Sequence, residues 1–219
     1  MKLFNTPRDY IKSKFGANEI NWNRSILDSI ESSYREHSYC DLFYAICLYK
    51  DNLKEINEFG VLGCYSIISM AAGSAKNNSN TLIKGFDLFE DYEFNSFKLN
   101  DAKERIKKAG FENISLIKTD VFKGDNLLKG LAQAQVVHID LSNDGDIYEK
   151  ILTSNLNKNL TLILEGGSHD RDENTWIKKY AARPIHPVLK KFSEDKRLEI
   201  SIINACLLYT SPSPRDKRQ

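Results

Sequence analysis

Five carboxylates stand at or near the C-terminal ends of five short apolar runs: Glu58, Asp87, Asp120, Asp140 and Glu165. A carboxylate there can accept hydrogen bonds from paired hydroxyls, take a proton, or share a divalent cation. One acid after an apolar run is ordinary loop chemistry. Five in register, separated by helix-length segments, describe a rim of acceptors along one edge of a sheet. Before the second acid lies Glu55-Ile-Asn-Glu-Phe-Gly-Val-Leu-Gly-Cys-Tyr-Ser66, which reads as strand, tight turn and helix start. Gly60 and Gly63 carry no Cβ and let backbone approach a ligand closely. A turn of this kind aims unpaired N–H groups above the strand's C-terminal end, where open α/β sheets bind ligands. The glycine pattern is not G-x-G-x-x-G, and Cys64 stands where a third glycine is expected. Asp87 follows the glycines by about 20–30 positions, the distance at which a carboxylate reaches ribose hydroxyls in dinucleotide-binding folds.

The elements that must position these acids alternate. Short apolar runs predict strands over 55–62, 82–87, 114–119, 136–141, 160–165 and 198–204. Amphipathic stretches between them predict helices over 65–76, 97–109, 126–133, 146–155 and 173–192, the last broken near Pro184 and Pro187. Runs without clean polar alternation are strands buried on both faces. The expected fold class is α/β, a Rossmann-like doubly wound and mostly parallel sheet. Residues 1–54 read as a helical segment, with Thr6-Pro7 as cap and first turn and helices over 23–36 and 38–53. The second of these is apolar on more than one stripe and is expected to pack as core. Tyr34, Tyr39 and Tyr44 are the alternative, an aromatic lid over a substrate.

Composition narrows the class. The chain has 219 residues, 41% hydrophobic and 28% charged, with net charge +1. That balance suits one soluble domain, and it offers no basic footprint for nucleic acid. No apolar run approaches a membrane span, and the N-terminus lacks a signal core. Four cysteines without a C-x-x-C pair suit reduced thiols and a cytoplasmic location. The run from Cys206 to Asp216 resembles a translated transposon-based sequencing adapter. Cys206–Gln219 is therefore set apart as a non-native tail, a disordered Ser/Pro-rich tail being the alternative. The expected domains are a helical cap over 1–54, a cofactor-binding domain over 55–205 and the tail over 206–219.

Four segments carry a family resemblance: Glu58-Phe-Gly-Val-Leu-Gly-Cys-Tyr-Ser66, Gly85-Phe-Asp-Leu-Phe-Glu90, Val137-His-Ile-Asp140 with Tyr148-Glu149, and Leu162-Ile-Leu-Glu-Gly-Gly167. In order and spacing over residues 55–168, the chain resembles class I S-adenosylmethionine-dependent methyltransferases, and within them the macrocin O-methyltransferase-like group. The resemblance implies that the glycine turn, with Glu58, Gly60, Gly63 and Ser66, holds the methionine end of S-adenosylmethionine. It implies that Asp87, beside Phe86, binds the ribose, and that Asp120 and Val121 lie by the adenine. Acids after the fourth and fifth strands would face a small-molecule or glycan methyl acceptor. Asp140 and His169 are the candidate bases for the acceptor proton. His169 reads equally well as a surface loop histidine, and His138 as a buried structural one. Arg171 and Trp176 could line an acceptor pocket or serve as a helix-start charge and a packing aromatic. Metal-dependent members carry an acid pair after strand five. Here the run is Glu165-Gly-Gly-Ser-His-Asp170, so a Mg²⁺ held by Asp140 and Glu165 is a weaker expectation. The family also closes its sheet with a final strand beyond 198–204, which the tail interrupts.

Two other readings stay open on the residues alone. One is a nucleotide-sugar or NAD-dependent Rossmann enzyme, against which stands the lack of G-x-G-x-x-G. The other is a binding protein that keeps the cofactor fold without catalysis. A homo-oligomer is compatible with all three.

Overall fold

The computed structural model describes residues 1–32, 34–35, 38–77, 80–92, 97–141, 144–167, 172 and 181–203. Its centre is a five-stranded parallel sheet. In chain order the strands are β2 (Glu55–Phe59), β3 (Leu82–Asp87), β4 (Ile114–Lys118), β5 (Val136–Ile139) and β6 (Thr161–Leu164). Their spatial order is β4-β3-β2-β5-β6. The chain leaves β2 toward β3 on one side and returns beyond it at β5, so the order reverses between β2 and β5. That reversal opens a crevice above the strand ends.

Register places Ile83, Ile56 and Val136 side by side across the middle of the sheet. Alternation then sends neighbouring residues to opposite faces. Ile56 and Val136 join a core with α2 (Tyr39–Leu48), α3 (Tyr65–Lys76) and α4 (Leu99–Lys108). Phe59, Val137 and Ile139 join a second core with Leu127 and Leu131 of α5 (Asn126–Gln133) and Ile151 of α6 (Gly145–Thr153). A third cluster gathers α6, α7 (Ile185–Phe192) and Ile202 of β7 (Ser201–Ile203). Helices on both faces of a parallel sheet make the doubly wound fold.

The N-terminal segment is less helical than its composition predicts. It opens with a strand, β1 (Lys2–Phe4), before α1 (Pro7–Phe15). Thr6 caps α1 through a reciprocal box: its hydroxyl accepts from the Asp9 N–H at 3.1 Å, and Asp9 accepts from the Thr6 N–H at 3.0 Å. Among the described residues of 23–36 the one helical element is a 3-10 turn, Arg24–Leu27. Side chains end it early, because Arg35 donates to the Leu27 and Ile30 carbonyls at 2.6 and 3.2 Å. The next helix stops at Leu48, short of the expected 53. It packs on α3 so closely that a Cβ at Gly73 would stand 2.1 Å from the Tyr44 carbonyl oxygen. Tyr44 itself stacks on Trp22 within this core.

A second difference concerns the sixth expected strand. Residues 201–203 do not join the main sheet but pair in parallel with β1. Ile202 is buried in the cluster formed with α6 and α7, against which Leu162 and Leu164 of β6 also pack. Residues 204–219, including the adapter-like run, lie outside the described residues. Among the described residues no helix is long and apolar enough to cross a membrane.

Candidate functional site

The turn after β2 alternates in hand. Gly60, Leu62 and Cys64 all have positive φ, +88°, +45° and +70°. Gly60 is forced: its N–H donates to the Phe86 carbonyl at 2.8 Å, and a Cβ would lie 2.1 Å from the Asp140 carbonyl oxygen. Cys64 does adopt the conformation that makes a glycine expected there, at a strain of about 1–3 kcal/mol. Its side chain is buried, and burial pushes its thiol up to about 12. Gly63 serves close approach, since a Cβ there would meet the Arg105 guanidinium at 3.2 Å and Ile30 at 3.4 Å.

Asp87, at the end of β3, reaches back to this turn. One carboxylate oxygen accepts from the Val61 and Leu62 N–H groups at 2.8 and 2.9 Å, the other from the Phe89 N–H at 2.7 Å. The residue expected to hold a ribose thus holds the strained turn. Phe86 stacks on Phe59, with ring centroids 4.8 Å apart, and is packed below the rim.

Glu58 points to the α3 face of the sheet and is fully buried. One of its oxygens accepts from the Ser66 hydroxyl and pairs with His138 Nδ1 at 2.7 Å. The other, Oε2, has no hydrogen-bond partner among the described residues. A buried carboxylate oxygen left unsatisfied is costly and points to a missing donor.

Asp140 follows β5 and lies against Gly60. Its N–H donates to the Phe59 carbonyl at 2.9 Å, and Tyr34 donates its hydroxyl to Oδ2 at 2.9 Å. Asp140 is 2% exposed and Tyr34 7%. Glu165 follows β6; its N–H donates to the Ile139 carbonyl at 3.2 Å, and its carbonyl accepts from the Tyr148 hydroxyl at 2.5 Å. Asp120, beyond β4, folds back on the Phe122 N–H at 3.0 Å and pairs with Lys123 at 3.6 Å. Val121 is buried in the second core.

All five acids therefore sit at the C-terminal ends of parallel strands. These contacts draw Gly60, Asp87 and Asp140 together around the turn, and Glu58, Ser66 and His138 beneath it. Asp120 stands further out, next to Val121, which is core. His169, Arg171 and Trp176 lie outside the described residues. Among the described residues no group of three or more His, Cys, Asp or Glu side chains could hold a metal. Two carboxylates, one of them hydrogen-bonded to a phenol, are a sparse set for a divalent ion.

Sequence reasoning held Tyr34 only as part of an aromatic lid. Its partner lies 106 residues away, a separation over which periodicity carries no signal.

No protein-family model matches this chain, and no curated protein sequence matches it. Solved structures do. A Klebsiella pneumoniae protein assigned as an O-methyltransferase shares 17% identity over 88% of this chain and 86% of that one, with TM-score 0.56. Cofactor-bound Rv0187 from MTB is similar at 14% identity, 87% coverage of each chain and TM-score 0.51. The Podospora anserina methyltransferase PaMTH1, bound to SAH, is similar at 17% identity over 84% and 92%, with TM-score 0.50. At such identities the likeness establishes the fold alone: a Rossmann-like α/β sheet of the type those proteins share.

Proposed function

We propose that this chain is an S-adenosylmethionine-dependent methyltransferase that modifies an oxygen of a small molecule or glycan, in the manner of the macrocin O-methyltransferase-like group. The observation that carries the reading is the turn 60–64, with Gly60, Leu62 and Cys64 at positive φ and Gly60 pressed against Asp140 where the strand order reverses. Its support from similar structures is that PaMTH1 is a methyltransferase holding SAH.

One buried atom supports placing the cofactor here. Glu58 Oε2 is a buried acceptor lacking a donor beneath the turn, and an α-ammonium group is such a donor. The turn and the N-terminus of α3 suit the neighbouring carboxylate, and Asp120 on the outer rim suits the adenine end. S-adenosylmethionine supplies a methyl group made electrophilic by a sulfonium. The chain's part is to hold the acceptor oxygen in line and to receive its proton. Transfer to the acceptor oxygen would break the methyl–sulfur bond and leave S-adenosylhomocysteine, and the hydroxyl proton would pass to a carboxylate, for which Asp140 is the proposed group. His169 is the second candidate for this base. Asp140 and Glu165 find no third ligand among the described residues, so no step is assigned to a metal.

Calorimetric titration with S-adenosylmethionine, S-adenosylhomocysteine and NAD tests the cofactor. Binding of the first two without the third is expected; binding of NAD alone overturns the proposal in favour of a dehydrogenase-type enzyme. Transfer of an isotope-labelled methyl group to p-nitrophenyl glycosides or simple phenols tests catalysis. Tight S-adenosylhomocysteine binding with no transfer across such a panel favours a cofactor-fold binding protein.

A further inference from the structure

We infer that Tyr34 is a positioning residue for Asp140: a phenol brought from the N-terminal segment that fixes the orientation of the carboxylate at the strand-order reversal. The inference rests on the reading of Asp140 as the proton acceptor.

The hydroxyl donates to Asp140 Oδ2 at 2.9 Å, with both residues buried. The ring that carries it is held on three sides. It meets Tyr39 at 5.5 Å, Phe43 at 5.4 Å and His138 at 6.0 Å between centroids, all edge to face. Phe43 in turn lies 4.8 Å from His138, and His138 is tied to Glu58. The backbone is also tethered: the Tyr34 N–H donates to Ser32 Oγ at 3.2 Å, and its carbonyl accepts from the Tyr39 N–H at 3.2 Å.

Packing alone does not explain this arrangement. A phenylalanine would keep all three ring contacts, and a buried hydroxyl is costly unless it is hydrogen-bonded. The terminal torsion of an aspartate is broad. A charge-assisted hydrogen bond from a rigid ring narrows it. The segment bearing Tyr34 also lies by the turn, because Ile30 and the Glu31 carbonyl are the neighbours of Gly63 along with Arg105. The N-terminal segment therefore completes the site rather than merely covering the sheet.

Tyr34→Phe removes one oxygen and keeps the ring. With p-nitrophenyl glycosides or phenols as acceptors, kcat should fall about 10- to 100-fold, the worth of one hydrogen bond to a charged group. KM for S-adenosylmethionine and the Kd for S-adenosylhomocysteine should stay within about twofold. On an Asp140→Asn background the same change should cost nothing further. Urea midpoints of ligand-free Tyr34→Phe, Asp140→Ala and their double variant give a readout without turnover, and they should be non-additive, because alanine removes the acceptor that an asparagine would keep. Additive midpoints overturn the inference, as does full turnover in Tyr34→Phe while Asp140→Asn is inactive. A kcat loss matched by an equal loss of S-adenosylhomocysteine affinity also overturns it, since that marks a structural role. Full turnover in Asp140→Asn sinks the underlying reading of Asp140 as base instead.

Discussion

Asp87→Ala separates two roles for one carboxylate. If Asp87 only binds a ligand, its removal leaves the ligand-free protein as stable as before. If it anchors the turn, the ligand-free protein weakens. Three backbone N–H groups converge on it at 2.7 to 2.9 Å. Each bond to a charged acceptor is worth about 1.5–3 kcal/mol in a buried setting. Here the three share one half-buried carboxylate, and water can reach part of the exposed rim. A net loss of about 2–4 kcal/mol is the reasonable sum. For a chain of this size that lowers Tm by about 5–15 °C. The turn it anchors is strained at Leu62 and Cys64, so relaxation should also weaken S-adenosylhomocysteine about 10- to 150-fold. Thermal and urea melts without ligand, followed by calorimetric titration, give both quantities. Asp87→Asn keeps one acceptor oxygen, which can retain the Val61 and Leu62 bonds and lose only that from the Phe89 N–H, so it should cost less than the alanine variant. An unchanged ligand-free Tm together with lost affinity would refute the anchoring argument and return Asp87 to the ribose.

Gly60→Ala should cost about 3 kcal/mol or more, because the new Cβ meets the Asp140 carbonyl at 2.1 Å in a left-handed conformation; a urea melt of normal stability would contradict this. His138→Leu strands the Glu58 carboxylate in the core and should destabilise by about 3–5 kcal/mol. The Glu58→Leu/His138→Leu double variant should recover part of that loss in the same melts. Cys40, Cys47 and Cys64 are buried, and burial raises all three thiols, Cys64 to about 12. Only the thiolate reacts, so iodoacetamide at pH 8 should leave them unmodified until denaturant is added, as mass spectrometry would show.

Legibility from sequence followed the range of the interactions. The bounds of α3, β3 and α5 match their expected spans because apolar runs, polar turns and helix starts are local signals. The five strand-end acids were likewise readable, since each sits at the end of its own run. The 3-10 turn at Arg24–Leu27 was not, because a guanidinium from Arg35 captures the carbonyls that a longer helix would have used. The direction of the Asp87 carboxylate was equally hidden: its partners are backbone groups, identical in every residue type. Cys64 shows the converse. Its misfit to a glycine pattern was visible, and the left-handed backbone behind it was not.

The pairing of β1 with β7 joins segments almost the whole described chain apart, with Lys2 and Lys14 both reaching Glu199. Closing a loop of about 200 residues costs about 5 kcal/mol in chain entropy. Three-residue strands with Leu3 62% exposed return little of that by themselves. Their union is therefore borrowed from the rest of the molecule: it forms only after the central sheet has brought the two segments near each other. It should be the first of the strand pairings to fray. Amide hydrogens there should exchange through local opening, while those of β2 and β5 wait for the whole domain to unfold.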